Sequence, residues 1–280
     1  MTVRVVTDST AYLPAERSAG LSVVPLTVTV SGRDGFEGVD VSPDDVARAL
    51  GERRAPVTTS RPAPAEFAQV YRALLDSGAT SIVSVHLSKE LSGTYDSAAQ
   101  AAAEFDGRVL VADSATTGMA LGFVALAAAA SAEAGDDAEA VRSAALAAVG
   151  RTSTLFYVDT LEFLRRGGRI SAASALLGTA LSVKPILHVV DGKVVLREKV
   201  RTSARGLARL ADLAVEAAAS SDVDIAVQHL AAADRAESLY TALRDRLGVR
   251  IRSGCVIEVG AALAAHTGPG VLGVAIYRHP

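Results

Sequence analysis

Hydroxyl, histidine and arginine side chains gather in a few short stretches where they could do chemistry. Leu91 to Ala98 reads LSGTYDSA, and it lies where an apolar run, Ser81-Ile82-Val83-Ser84-Val85, gives way to an Ala-rich helical pattern from Tyr95 to Phe105. Ser92 and Thr94 therefore sit at a strand-to-helix turn. The first N–H groups of a helix have no partner there, and its dipole leaves partial positive charge, so the turn suits an anion. Gly93 lets a ligand approach the backbone closely; the plain alternative is that Ser92 only caps the helix. Thr58-Thr59-Ser60-Arg61-Pro62-Ala63-Pro64 is a polar loop stiffened by two prolines. His266, in Ala264-Ala265-His266-Thr267-Gly268-Pro269-Gly270, follows an Ala-rich helical segment. It is either an exposed helix-end histidine or a side chain held by the Gly-Pro-Gly turn against a pocket, where one tautomer donates to an anion. Leu161 to Ser171, LEFLRRGGRIS, joins a basic cluster to two glycines, and Arg197, Lys199, Arg201 and Arg205 form a second basic set. Each is either a solvated charge run or a dock for a carboxylate- or phosphate-bearing partner, which guanidinium groups grip bidentately.

Other chemistries find little support. His86, His188, His229, His266 and His279 show neither HExxH nor HxH spacing, so no zinc site is expected. The single cysteine, Cys255, excludes an internal disulfide and suits a reducing compartment; its apolar strand-like surroundings predict a buried thiol. GxSxG, GxxxxGK[ST] and GxGxxG are all absent, and Asp8-Ser9-Thr10 lacks the second Asp of a DxD phosphotransferase. A net charge of −3 gives no pull towards nucleic acid or an acidic membrane surface. Met119 to Ala132 is apolar but shorter than the roughly 20 residues of a spanning helix. The N-terminus opens on a strand pattern with no signal core, so a cytoplasmic protein without cofactor or metal is expected.

The elements that must position these residues alternate. Val3 to Thr7 and Leu21 to Val30 read as strands, with turn chemistry at Asp34-Gly35 and neighbouring Gly32 and Gly38, and a capped helix opening at Ser42-Pro43-Asp44-Asp45. A helix from Ala65 to Ser77, strand Thr80 to Val85, helix Tyr95 to Phe105, strand Arg108 to Ala112 and helix Thr117 to Glu133 predict a parallel sheet covered on both faces. In such sheets ligands gather beyond the strands' carboxyl ends, where Asp8-Ser9, Ser88 to Thr94 and Asp113-Ser114 fall. Singly, Asp8 and Asp113 read as helix caps. Gly150 to Ser153 is the expected boundary. Beyond it come a strand at Leu155 to Val158, helices at Leu161 to Arg166 and Ser171 to Leu177, and a hairpin turning at Asp191-Gly192 between Ile186 to Val190 and Lys193 to Lys199. Helices Ser203 to Ala219 and Ala233 to Leu247 then alternate with strands Asp224 to Gln228, Val249 to Val256 and Val271 to Tyr277. The expected architecture is two α/β domains: residues 1–152, Rossmann-like, with three α/β/α layers and a mainly parallel sheet, and residues 153–280 with a mixed sheet.

Taken in order, TDSTAYLP, TTSRPAP, LSGTYDSAA, VADSATTGMALG, LEFLRRGGRIS, LSVKPIL, EKVRT and HTGPGVLGVAIY resemble the DegV family, the fatty acid-binding subunits of bacterial fatty acid kinase. The resemblance implies a two-domain protein holding one long-chain fatty acid between its domains. Position by position, it implies Thr59, Ser92 and His266 as carboxylate ligands, with weaker contacts from Ser60, Gly93 and Thr94, and Arg169 and Arg201 as partner-facing arginines. Arg61 stands where many members show Gln, and Ala63 where many show Ser. The implied function is to present the acyl carboxylate to a separate ATP-using kinase and carry off the acyl phosphate for phospholipid synthesis, with at most transient membrane contact and no catalysis by this chain. The alternatives are a stand-alone phosphotransferase or hydrolase using Ser92 or His266, and a regulatory sensor of a small anion.

Overall fold

The computed structural model describes residues 2–18, 20–52, 56–170 and 183–280. The helix expected over Ser171 to Leu177 lies outside them. Four strands, β1 (Val3–Asp8), β2 (Leu21–Val24), β6 (Ser81–His86) and β7 (Val109–Asp113), form a wholly parallel sheet in the order β2-β1-β6-β7. Side-chain alternation sends Val3, Val5, Val83 and Val85 to one face, against helices α4 (Met119–Glu133) and α5 (Ala138–Val149). Val6 and Ile82 go to the other face, with Phe67 and Tyr71 of α2 (Pro64–Asp76) and Ala98 of α3 (Thr94–Ala102). The Ala-rich composition has a purpose in α4, whose Gly122 lies so close to Ala11 O that a Cβ would come within 2.7 Å of it.

The second sheet is mixed, in the order β10-β9-β8-β13-β11-β12. Its strands are β8 (Thr152–Tyr157), β9 (Lys184–Val190), β10 (Lys193–Val200), β11 (Val223–His229), β12 (Ile251–Glu258) and β13 (Leu272–Arg278). Only β11 and β12 run parallel; the other neighbours are antiparallel. The β9–β10 hairpin turns where the sequence predicts, with Asp191 at φ 48° and Gly192 at φ 79° as a type I′ turn requires. Leu155, Tyr157, Ile225, Val274 and Ile276 face α7 (Ser203–Ala218) and α8 (Ala233–Leu247). On the opposite face Ala226 and Ala275 meet Met119, Ala120 and Phe123 of α4, joining the two halves.

Three expectations fail in the segment between these sheets. Leu21 to Val30 is two strands, because Pro25 cannot donate to a ladder: β2 ends at Val24, and β3 (Thr27–Val30) joins a separate antiparallel sheet, β4-β3-β5. Asp34-Gly35 lies within β4 (Arg33–Phe36); of the residues expected to turn, Gly32 does so with Ser31 before β4, and Gly38 does so after it, both glycines at positive φ. Thr58, Thr59 and Ser60 are not loop but part of edge strand β5 (Val57–Ser60). Helix α1 (Pro43–Gly51) opens as predicted, on a Ser42/Asp45 capping box. Leu26, Val28, Val46 and Leu50 of this segment bury themselves with Phe156, Leu164 of α6 (Glu162–Arg166), Val259, and Ala261, Ala262 and Ala265 of α9 (Ala261–Thr267). This core spans both sides of the expected division at residue 152, which itself falls within β8.

Candidate functional site

A cavity of about 880 Å³, its mouth included, opens between the parallel sheet's carboxyl edge, the inner face of the mixed sheet and α9. Leu26, Leu87, Leu91, Phe156, Val189 and Leu263 supply its apolar wall. Thr59, Ser92, Arg169 and His266, four residues drawn from distant parts of the chain, line it together. Thr59, Arg169 and His266 also border a second recess, which the exposed Thr58 and Arg166 line on its outer side. These three side chains therefore stand between an apolar interior and the surface.

Each is aimed by its element. Along β5, Val57 and Thr59 turn inward while Thr58 and Ser60 are exposed. Thr59 Oγ1 lies 2.8 Å from His266 Nε2. His266 Nδ1 is buried with no partner among the described residues. A Cβ on Gly167 would collide with that atom, and one on Gly268 with the Phe163 ring, so the glycines of GGRIS and HTGPG are where α6 and the end of α9 close on each other. Burial, and secondarily the charge of Arg169, pulls the His266 pKa down to about 4. At neutral pH the imidazole is uncharged, and the cation of the site is Arg169, whose Nε donates to Leu91 O at 3.0 Å and whose Nη1 donates to Gly167 O. Arg169 thus lines the cavity as well as its mouth. Ser92 Oγ is 2.9 Å from Thr94 Oγ1 and accepts from Thr94 N, the first N–H of α3, at 3.3 Å, while the residue lines the cavity.

Helix α9, which carries Ala262, Leu263, His266 and Thr267 to the cavity, begins at a glycine without a side-chain cap of its own. Glu37, 225 residues earlier in sequence and 5% exposed, supplies it: Oε1 accepts from Ala262 N at 2.7 Å and from Tyr12 OH at 3.0 Å, and Oε2 from Ser9 Oγ. Tyr12 OH in turn accepts from Leu263 N at 3.1 Å. A carboxylate on the orphan N–H groups of a helix start is favourable, although burial raises the Glu37 pKa above its ordinary value. Gly260 is needed because a Cβ there would strike both Glu37 and the Tyr12 ring. None of these residues has a local sequence signature for this role; the partners meet only in the folded chain.

The remaining expected residues distribute as follows. Ser60 is exposed and lies outside the cavity, as strand alternation requires once Thr59 points in. Thr94 is buried but bonded to Ser92, also outside the lining. Gly93 lies beneath the Arg61 side chain, which crosses it so closely that any Cβ would clash. Ala63 precedes α2, where Glu66 reaches back to its N–H. Arg201 is exposed just before α7 and makes no ion pair among the described residues. Asp8 accepts from Thr10 N and caps the short turn Ser9–Ala11, as expected; Asp113 does not cap a helix, because it ends β7 and accepts from Ala115 N in a loop, while α4 starts later, at Met119. Cys255 is half-buried in β12, and burial raises its thiol pKa. No cluster of His, Cys, Asp or Glu able to hold a metal, and no helix long and apolar enough to cross a membrane, occurs among the described residues. A nucleophile–base pair needs contact between the two groups, yet Ser92 bonds to Thr94 and His266 to Thr59.

The chain is similar throughout its length to proteins already described. A family model described as "Uncharacterised protein, DegV family" matches residues 2–279. A DegV domain-containing protein of Streptomyces coelicolor is 52% identical over 276 residues, 98% of each chain. One of Mycobacterium tuberculosis is 42% identical over 279 residues, 99% of this chain and 97% of that one. Among solved structures, a fatty acid-binding DegV family protein of Thermus thermophilus superposes with a TM-score of 0.93 at 34% identity, and DegV of Bacillus subtilis, a fatty acid-binding protein, with 0.89 at 30%; each comparison covers both chains completely. With the family model matched over residues 2–279, a relative 52% identical over 98% of each chain, and the fold shared over the full length, the chain belongs to the DegV family.

Proposed function

We propose that the protein binds a long-chain fatty acid with its hydrocarbon in the apolar cavity and its carboxylate at Thr59, Ser92 and His266, joined by Arg169, and that it presents the carboxylate to a separate ATP-dependent kinase. The observation that carries this reading is the position of Thr59, Arg169 and His266 on the wall shared by the cavity and the outer recess. A carboxylate there faces outward while its chain lies inward. About ten buried methylenes contribute about 8 kcal/mol, which offsets the cost of taking a hydrogen-bonded carboxylate out of water. Neutral His266 donates through one ring nitrogen, Thr59 and Ser92 donate hydroxyls, and the Arg169 guanidinium balances the charge. Nothing in this arrangement activates a nucleophile, so phosphoryl transfer belongs to the partner, with Arg169 at the mouth and exposed Arg201 as docking residues, the acyl phosphate feeding phospholipid synthesis in the cytoplasm. Residues 1–152 and 153–280 act as the two domains enclosing the ligand.

Mass spectrometry of solvent extracts from purified protein, followed by titration with stearate, tests the binding step. Recovery of a fatty acid, or saturable binding of added stearate, is expected; finding no fatty acid and no binding would overturn the reading. Acyl phosphate formation with a bacterial fatty acid kinase and ATP tests presentation.

A further inference from the structure

The cavity has a second polar end. Gln228, 4% exposed, lines it from β11, and its Oε1 accepts from Met119 N at 2.9 Å. That bond settles the amide's orientation, since only the oxygen can accept. The Nε2 group, with two donor hydrogens, has no partner among the described residues. Thr117 stands beside it between two anchored neighbours: Thr116 Oγ1 lies 2.9 Å from Thr154 Oγ1, and a Cβ on Gly118 would press on Gln228. Thr117 Oγ1 is itself buried with no partner among the described residues, and Thr117 and Thr154 both line the cavity. Strand β8 runs from Thr154 through Phe156 towards α6 and Arg169, which sets this cluster away from the carboxylate end. Gly273, opposite Phe156 and Gln228, leaves room on the floor between them. Buried donors left unmatched cost free energy, and a saturated chain lying across them returns none of it.

We propose that Gln228 and Thr117 form a polar subsite for an acyl chain bearing an oxygen function, a hydroxyl or oxo group, part-way along its length. This rests on the fatty acid reading above. Competition binding of positional hydroxystearate isomers against stearate tests it, in the wild type and in Thr117→Val and Thr117→Val/Gln228→Leu variants. At least one isomer is expected to bind tenfold or more tightly than stearate to the wild type, the others less well. The double variant should lose that preference and bind stearate at least as tightly as before. Thr117→Val breaks no hydrogen bond, so it serves should loss of the Met119 contact impair folding, and it should reduce the preference severalfold. Stearate binding as tightly as every isomer, the behaviour of a notch holding a bound water only, would overturn the subsite and leave the carrier function intact. Binding of neither stearate nor any isomer would remove the fatty acid reading and the subsite together.

Discussion

Two histidines in this molecule are each bonded to a hydroxyl, and they do opposite things. His86 ends β6 within the parallel sheet, completely buried: Nδ1 is 3.0 Å from Asp8 Oδ2, Nε2 is 2.6 Å from Ser84 Oγ, and Tyr71 OH donates to the same Ser84 at 2.8 Å. Asp8 also accepts from Leu87 N and Thr10 N. The Asp-His-Ser order is that of a catalytic triad, but Phe67 covers the ring edge-on at 4.9 Å and both ring nitrogens are occupied. His266 has one nitrogen on Thr59, the other against Gly167 and without a partner among the described residues, and its side chain lines the cavity. A hydrogen-bonded histidine is therefore no sign of a site. A ring that lines a cavity with bonding capacity to spare is.

The comparison breaks most directly at Asp8. Asp8→Ala strips acceptors from His86 Nδ1, Leu87 N and Thr10 N at once, and should cost about 3–5 kcal/mol of stability, read as a lowered urea midpoint; an unchanged midpoint would mean that the sealed network holds nothing together. His266 should show its effect through pH. Its folded pKa near 4 lies below the ordinary 6.5, so the unfolded chain takes up the proton first, and stability falls as pH drops from about 6.5 to 4, by about 3 kcal/mol. His266→Gln should flatten that slope in unfolding curves of ligand-free protein at pH 7, 5 and 4. Thr59→Val and Ser92→Ala, each removing a proposed hydrogen bond to a carboxylate, should weaken stearate binding by about 1.5–3 kcal/mol, roughly ten- to a hundredfold. Equal affinity in both would move the carboxylate elsewhere. Arg201→Ala should leave stearate affinity and Tm alone and reduce only kinase-coupled acyl phosphate formation.

Legibility followed range. Local signals were plain: the Asp191-Gly192 turn, the Ser42 cap and the alternation that makes a parallel sheet all stand where sequence places them. Pro25 was a breaker in plain view, yet the Val- and Thr-rich run on either side of it reads as one strand until two sheets compete for its ends. Of the residues expected at the carboxylate, Thr59, Ser92 and His266 converge because each sits at an element's end or edge, whereas Ser60 is turned outward by a period of two that a loop reading cannot supply. Glu37 could not be anticipated at all: its meaning lies in Ala262, on a helix whose start gives no hint of a cap delivered from so far away. The unpartnered donors of Gln228 and Thr117 are likewise invisible until β11 and the turn before α4 are brought together.

The split at Pro25 has a bearing on how the molecule comes into being. Residues 26–50 lie outside the first sheet, the apolar partners that bury them extend from Phe156 to Val271, and the α9 N–H group that answers Glu37 follows it by 225 residues. The parallel sheet and the helices α2 to α5 all lie before residue 150 and can form on the ribosome, while the small sheet waits with its apolar face uncovered, the kind of transient exposure that recruits chaperones. The pocket is thus among the last things made, and a nascent chain stopped before residue 260 should hold a folded first sheet and have nowhere to put a ligand.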